Sequence, residues 1–575
     1  MDRFRNEVVG VAVIVLVFGT VVALVPPTGE FPLGDDWDYA ATARDLVEYG
    51  EIRLSDWPAM PLIVHVVWGA LFIKIFGFSY FVLRVANLTM ALVGSLTIYT
   101  WVRLIGQTRQ WAVFAALFFF LNPLVLWMAY SFHTNVTNAA IMSLSLVFQL
   151  AAVRHVDRLG WFVAAGIVGA LGYLVRPTGA IPTIAFAMVL SARTTSRRAA
   201  KSAAVLVPLA TTVLLHNFWL DLIHGRPYNS TGGMFQWDIL SQPVLHLHRL
   251  VQLLLGLGLF LSPIAVAYRS RHDFLAATHT KSFVVSGIST LGLLIVAALF
   301  SGHDLRPYTD LHVYDCGIGN DYPLPPGRTA LRGLAVLVVG QTVSIFRAVT
   351  TALALISVLL IAGRIGPAVC RRGSTSRLSD DDAKIALATL GVSASSMLAV
   401  LVFVRTYFEW YLIPLLVLCG LLGTMLHCGV TNSPGVASWL VLIGIGASSA
   451  TAVQDTLARN EAGWAATRKL HEAGVAPDQI NAGLEYNGEF RFSPRYRTGP
   501  IRTPPYLLSL DTTTRAIHLA LFWSDHVDAR SFTLAYAELP NHTVELEVPF
   551  RSWMRSGRVL VLRRSSLRSA PQSKQ

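Results

Sequence analysis

The chain has 575 residues, of which 53% are hydrophobic and only 14% charged, with a mean hydropathy of +0.52. This excludes an ordinary soluble domain and implies an integral membrane protein. The formal net charge is +12, but the Lys and Arg residues cluster in short segments between apolar runs, a pattern of membrane orientation and not of nucleic-acid binding.

The opening run VVGVAVIVLVFGTVVALV, residues 8–25, is long for a signal-peptide core and lacks a small-x-small cleavage site before PPTGE, so it reads as a retained span. A crossing needs about 20 mostly apolar residues. Further candidates lie at 81–103, 110–129, 136–153, 160–175, 179–192, 203–222, 250–268, 282–300, 331–362, 384–404, 407–428 and 436–453. The basic connectors, from Arg3 and Arg5 through Arg103, Arg154, Arg193, Arg269 and Arg364 with their neighbours, fall on one side, the cytoplasmic one by the positive-inside rule. The acid-rich loop 26–80, the segments 130–135, 223–248 and 301–330, and the tail from 454 then face outward. This bookkeeping requires PLIVHVVWGALFIKIFG, residues 61–77, to lie at the outer interface, which its length and Lys74 suit.

After residue 453 the composition turns mixed and polar, with alternating stretches such as HTVELEVPF and GRVLVLRR that predict strands following a helix. The expected fold is an all-α polytopic membrane domain over 1–453, with amphipathic juxtamembrane helices in its first outer loop. A small α+β extracytoplasmic domain over 454–575 follows, its terminal LRSAPQSKQ disordered. About 11 to 13 transmembrane helices are expected. No inverted repeat of the transporter kind is visible. The cysteines Cys316, Cys370, Cys419 and Cys428 show no C-x-x-C spacing and define neither a zinc site nor a disulfide framework.

The densest acid cluster, GDDWDYAATARDLVEYGE at residues 34–51, directly follows the first span. As a helix it places Tyr39, Ala43, Leu46 and Val47 on one face and its charges on the others, with Gly50 as a C-terminal stop. Asp35 and Asp36 fall at its N-terminus, where Asp is a common cap. A carboxylate there equally suits a general base acting on an acceptor, with a basic group nearby to stabilise a departing phosphate.

The same stretch, continued through EIRLSDWPAMPLIVHVVWGALFIKIFGFSYFVLRVANL, resembles the first outer loop and following span of GT-C type glycosyltransferases, the protein-mannosyltransferase-like and aminoarabinose-transferase-like enzymes. The residues that carry the likeness are Asp35 and Asp36, Tyr39 and Ala40, Ala43 and Arg44, Gly50, Pro61 and Leu62, Phe76 and Gly77, and Arg84. NPLVLWMAYSFHTNVTNAAIM looks like the outer turn where that family carries a second acid, and Asn135 stands at that place here. GYLVRPTGAIP is similar to the next outer turn, with Arg176 as its cation. RTYFEWYLIPLLVL resembles a late Arg-Tyr-x-x-Pro motif, matching Arg405, Tyr411 and Pro414.

The resemblance implies a polyprenyl-phosphate sugar donor and an extracytoplasmic glycan, lipid or protein acceptor, among membrane lipids and without nucleic acid. Asp35 would be the base, and Asp36 would orient the acceptor or a metal; no cofactor is otherwise implied, and a divalent metal stays an option. Arg176 and Arg405 would hold the donor phosphate. Asp38, Tyr39, His133, Asn135 and Tyr411 would line the substrate cavity. Arg44 and Arg84 would structure the loop. Two departures from the family pattern stand out: Ala59-Met60 where a Lys often precedes Pro-Leu, and Asn135 in place of the acid.

Read from the residues alone, Arg176 and Arg405 also fit arginines snorkelling at helix ends. The loop SGHDLRPYTDLHVYDCGIGNDYPLPPGR, residues 301–328, reads as a solvated cap, since its spacing fits no standard metal site. Asn229 and Asn541 head N-x-S/T sequons. A polytopic transporter of an anionic or sugar-containing solute and a non-catalytic subunit that binds a lipid-linked sugar are the rival readings.

Overall fold

The structure, a computed structural model, describes residues 2–192, 197–231, 243–267, 292, 351–361, 379–404, 407–426, 433–491, 531–536, 538, 542–553 and 556–564. Outside the described residues lie Arg405, the loop 301–328, Asn541, Cys316, Cys370 and Cys428, together with the expected span 282–300 apart from residue 292, most of 331–362 and the terminal LRSAPQSKQ.

The chain begins with α1 (Asp2–Leu24), α2 (Asp36–Tyr49), α3 (Ile63–Phe76), α4 (Tyr80–Leu104) and α5 (Arg109–Phe120). It continues through α6 (Pro123–Ala129), α7 (Thr134–Arg154), α8 (Leu159–Val175), α9 (Ile181–Ala192) and α10 (Arg198–Trp219). Later helices cover Pro243–Phe260, Asp380–Phe403, Ile413–Leu426, Val436–Glu472 and Leu484–Arg491. Among the described residues, six helices are long and apolar enough to cross a membrane: Glu7–Leu24, Tyr80–Leu104, Thr134–Arg154, Arg198–His224, Asp381–Phe403 and Val436–Glu472. The chain is an integral membrane protein. α3, at 14 residues, extends only about 21 Å, short of a bilayer core of about 30 Å.

The expected span 110–129 is not one straight helix: α5 and α6 meet at a 62° bend. The cause is local. Asn122 precedes Pro123, whose ring excludes a helical Asn122; Asn122 takes ψ 133° and caps α6 by accepting from the Leu124 N–H. The bend carries the chain into the turn at Ser131–His133, from which α7 starts.

The core is a continuous apolar cluster. Trp111, Phe114 and Phe120 of α5, Leu126 of α6, Met142 of α7, Ile413 and Leu418 of the late helix, and Leu442 and Val453 of Val436–Glu472 are buried in it. The helix Val436–Glu472 runs unbroken through residue 454: its first part packs on this core, and its last turns carry Ala462, Ala466 and Leu470 into a second cluster under a small sheet. That sheet has strands β1 (Ile480–Asn481), β2 (Phe532–Ala535), β3 (His542–Arg551) and β4 (Ser556–Arg564) in the order β1-β2-β4-β3. β1 and β2 pair in parallel and the other pairs are antiparallel. The stretches HTVELEVPF and GRVLVLRR are strands β3 and β4.

The segment leaving α1 is held by one side chain. Arg84 of α4, 1% exposed, donates to the carbonyls of Thr28 at 2.8 Å, Gly29 at 2.6 Å and Phe31 at 2.5 Å, with its guanidinium 4.4 Å from the centre of the Phe31 ring. These carbonyls belong to a loop without a helical or sheet ladder, so the guanidinium satisfies acceptors that would otherwise be buried and unmet. Arg84→Met preserves the apolar stem and strands the carbonyls; it should lower stability by about 3 kcal/mol, read as a fall in the thermal midpoint of the purified protein. An unchanged midpoint would show that the clamp is dispensable.

Candidate functional site

The start of α2 is built around a glycine that no other residue replaces without strain. Gly34 sits at φ 63°, and a Cβ there would lie 2.7 Å from His133 Nε2. This close approach lets the Asp35 backbone N–H donate to His133 Nε2 at 3.2 Å. Asp35 occupies the cap position of α2, yet its side chain makes no capping hydrogen bond. It accepts instead from the Trp57 indole N–H at 3.2 Å and lies 3.5 Å from the Tyr39 hydroxyl. The carboxylate is half-buried.

The adjacent carboxylates take other positions. Asp36, fully buried, accepts from the Leu33 N–H at 2.5 Å and the Phe132 N–H at 3.2 Å, so it ties the entry of α2 to the turn before α7. Asp38, also fully buried, accepts from the Ser55 hydroxyl at 2.6 Å. Asp45 is buried as well, so the amphipathic pattern, with charges on open faces, does not describe the first turns of α2. Gly50, at φ 71°, ends the helix in the left-handed region.

Opposite Asp35 stands Arg176, the residue that caps α8 in extended conformation. It donates to Thr134 Oγ1 at 2.8 Å and Asn135 Oδ1 at 2.7 Å, and lies 5.2 Å from the centre of the Tyr411 ring. Both acceptors are neutral, and among the described residues no carboxylate forms an ion pair with Arg176. His133 packs edge-on to Tyr39 at 5.7 Å and beside Trp410 at 6.2 Å; Trp410 stacks on Phe408 at 4.6 Å with an interplanar angle of 3°. The structure thus brings Asp35, Tyr39, His133, Asn135, Arg176 and Tyr411 together, from four separate stretches of chain. Asp36 and Asp38 are turned toward Leu33, Phe132 and Ser55. Arg44 lies over the Phe78 ring at 5.0 Å, and Arg84 over Phe31.

Burial pushes the Asp35 carboxyl up to about 6, against the pull of the Trp57 hydrogen bond; nearby Asp38 and Glu485 add to the rise and Arg176 opposes it. Burial pushes Asp36 up to about 8, opposed by Arg84 and by its two backbone donors. His133 is lowered to about 3 by burial and then by Arg176, so its imidazole is neutral and its Nε2 is an acceptor. Among the described residues, no group of three or more His, Cys, Asp or Glu is placed to hold a metal ion.

Trp57, Thr134, Trp410 and Glu485 belong to this site and were not singled out in the sequence. Trp57 lies in the flanking SDWPAM, where nothing in the spacing signals a carboxylate partner. Trp410 lies inside the late motif, one residue before Tyr411.

Residues 61–219 match the family model described as dolichyl-phosphate-mannose-protein mannosyltransferase. Over that stretch the chain is similar to this mannosyltransferase family. The match contains Arg84, His133, Asn135 and Arg176; Asp35 and Tyr411 lie outside it. No match was found among curated proteins. Among solved structures, the chain is similar to ArnT from Cupriavidus metallidurans bound to undecaprenyl phosphate, at 16% identity over 98% of this chain and 99% of that one, with a TM-score of 0.40. It is also similar to the archaeal oligosaccharyltransferase AglB from Archaeoglobus fulgidus in complex with an inhibitory peptide and a dolichol-phosphate, at 13% identity over 87% of this chain and 61% of that one, with a TM-score of 0.39.

The raised value at Asp35 has a consequence for stability. Between pH 3.8 and about 6 the folded protein keeps a proton that the unfolded chain has lost. Stability on this account therefore falls as pH rises through that window and stays lower above it. Asp35→Asn removes the effect and should raise the thermal midpoint at pH 7 to 8, with the gain vanishing below pH 4. A gain that is independent of pH would contradict the assignment.

Proposed function

We propose that the protein is a membrane glycosyltransferase that moves a sugar from a polyprenyl-phosphate donor to an extracytoplasmic acceptor. The observation that carries this reading is the proximity of a half-buried carboxylate whose proton affinity suits a base near neutral pH to a guanidinium whose hydrogen-bond partners among the described residues are neutral. Asp35 takes the proton from the acceptor hydroxyl. The acceptor oxygen bonds to the anomeric carbon as the bond from that carbon to the phosphate oxygen breaks, and the electron pair leaves on the polyprenyl phosphate. Arg176 meets the phosphate charge, for which a guanidinium is suited by its paired donors.

The neutral side chain at Asn135 supports a phosphate role for Arg176. A carboxylate at that point would sit against Arg176 and neutralise it before the donor arrived; the amide orients the guanidinium and leaves its charge for the phosphate. Family resemblance and the lipid phosphates named with ArnT and AglB support a polyprenyl carrier. A cavity of about 1020 Å³ beside the end of α8 has an apolar side formed by Leu46, Ile63, Leu174, Leu215 and Ile223, of the kind an isoprenoid chain needs, and a polar side with Glu51, Arg53, His216 and His224. The outward placement of the site, the plasma (inner) membrane location and a cytoplasmic N-terminus belong to the same proposal and rest on the distribution of Lys and Arg.

Radiolabelled transfer from polyprenyl-phosphate sugars by the purified protein tests the proposal. Asp35→Asn should lower turnover by about 100-fold or more while donor binding is retained. Arg176→Gln should weaken binding of polyprenyl phosphate by about tenfold or more. Asn135→Asp should do so too, by pairing with Arg176. Saturable lipid binding with no turnover from any donor would identify a binding subunit, the rival reading that Asn135 keeps open.

A further inference from the structure

The helix Leu484–Arg491 lies in the C-terminal part of the chain, yet it reaches the start of α2 by two routes. Glu485 accepts from the Gly34 N–H at 3.1 Å. Gly488 meets Trp37 so closely that a Cβ would lie 2.3 Å from the indole. Trp37, fully buried, packs 5.3 Å from Trp57 with Leu484 against the pair, and Trp57 is the donor to the Asp35 carboxylate. One turn further, Glu489 accepts from the Tyr80 hydroxyl at 2.6 Å, at the first residue of α4. Contacts therefore reach both the backbone immediately before Asp35 and the indole that aims its side chain.

We propose that this helix is a positioning element of the site: Glu485, through Gly34, and Gly488, through Trp37 and Trp57, hold the Asp35 carboxylate in the orientation that its role requires. Asp36 and Arg84 fix the chain on either side of the turn, and the helix adds the contacts at Gly34 and at the indole pair. On the near side, His133 takes the Asp35 N–H; on the far side, the Gly34 N–H has its acceptor 451 residues away in sequence. The C-terminal part of the chain thus completes the site instead of only covering it. Neither route touches Arg176, which is anchored by Thr134 and Asn135 of α7, so loss of the helix contact should impair the acid and spare the phosphate site.

The inference rests on the reading of Asp35 as the base, and its test separates the two. In the full-length purified protein, amide hydrogen exchange over residues 33–38 is measured for the parent, Glu485→Gln, Glu485→Ala and Gly488→Ala, along with kcat and KM for transfer. Glu485→Gln keeps an acceptor for the Gly34 N–H and should keep the parent's exchange over residues 33–38, with a smaller loss of kcat than Glu485→Ala. Glu485→Ala and Gly488→Ala should speed exchange by about tenfold and lower kcat by about tenfold or more, with the donor KM within about twofold of the parent. Unchanged exchange in both variants, or faster exchange with unaltered kcat, overturns the proposal, as does an equal loss of kcat in Gln and Ala. Should Gly488→Ala fail to fold, the Gln and Ala pair at Glu485 still decides. If the parent transfers no sugar, the base reading fails, and exchange alone judges whether the helix holds the turn.

Discussion

The interaction on which the site depends is the clamp made by Asp36. Its two carboxylate oxygens accept from the backbone N–H groups of Leu33 and Phe132, which lie on different strands of the chain with a full span between them. A buried carboxylate is costly unless it is hydrogen-bonded, and here it meets backbone donors that would themselves be unmet in a loop. The result is a rigid junction between the first outer loop and the turn entering α7. With Asp36 held by Leu33 and Phe132, its neighbour Asp35 is left to Trp57 and Tyr39, and His133, one residue after Phe132, is brought to the Asp35 N–H. Arg84 completes the arrangement from the other side by holding residues 28–31, so the short path from α1 to α2 is fixed at both ends.

The second organising feature is a guanidinium whose partners among the described residues are neutral. Arg176 is oriented by a hydroxyl and an amide, each neutral, and backed by the Tyr411 ring. Its field reaches Asp35 and His133, in each case favouring the less protonated state. A basic group near a half-buried acid, without an ion pair between them, leaves both available to a ligand that carries negative charge at one end and a transferable proton near the other. The proposed group transfer from a phosphate rests on that electrostatic layout more than on any one motif.

Much of this was legible in the residues, and the parts that were not share a physical cause. The apolar runs, the helix over the acid cluster with Gly50 at its end, and the strands in HTVELEVPF and GRVLVLRR follow from periodicity and local backbone preference, which act over a few residues. The bend at Asn122-Pro123 had a local signal too, since the residue before proline resists helix, but the hydropathy of 110–129 concealed it. The resemblance to a known family ordered Asp35, Asn135, Arg176 and Tyr411 along the chain. The resemblance singled out Asp35 as the base, but that Asp36 turns to Phe132 and Asp38 to Ser55 is decided by partners from elsewhere in the chain. The hydrogen bond from Trp57 and the approach of Glu485 are tertiary contacts of the same kind; no periodicity encodes a partner hundreds of residues away.

The most direct measurement is an experimental structure of the protein with polyprenyl phosphate bound. The account predicts the phosphate within hydrogen-bonding distance of the Arg176 guanidinium, the Asp35 carboxylate close by, and the isoprenoid chain leading away along the apolar side of the cavity beside the end of α8. A phosphate bound elsewhere, with Arg176 still engaged only by Thr134 and Asn135, would contradict it.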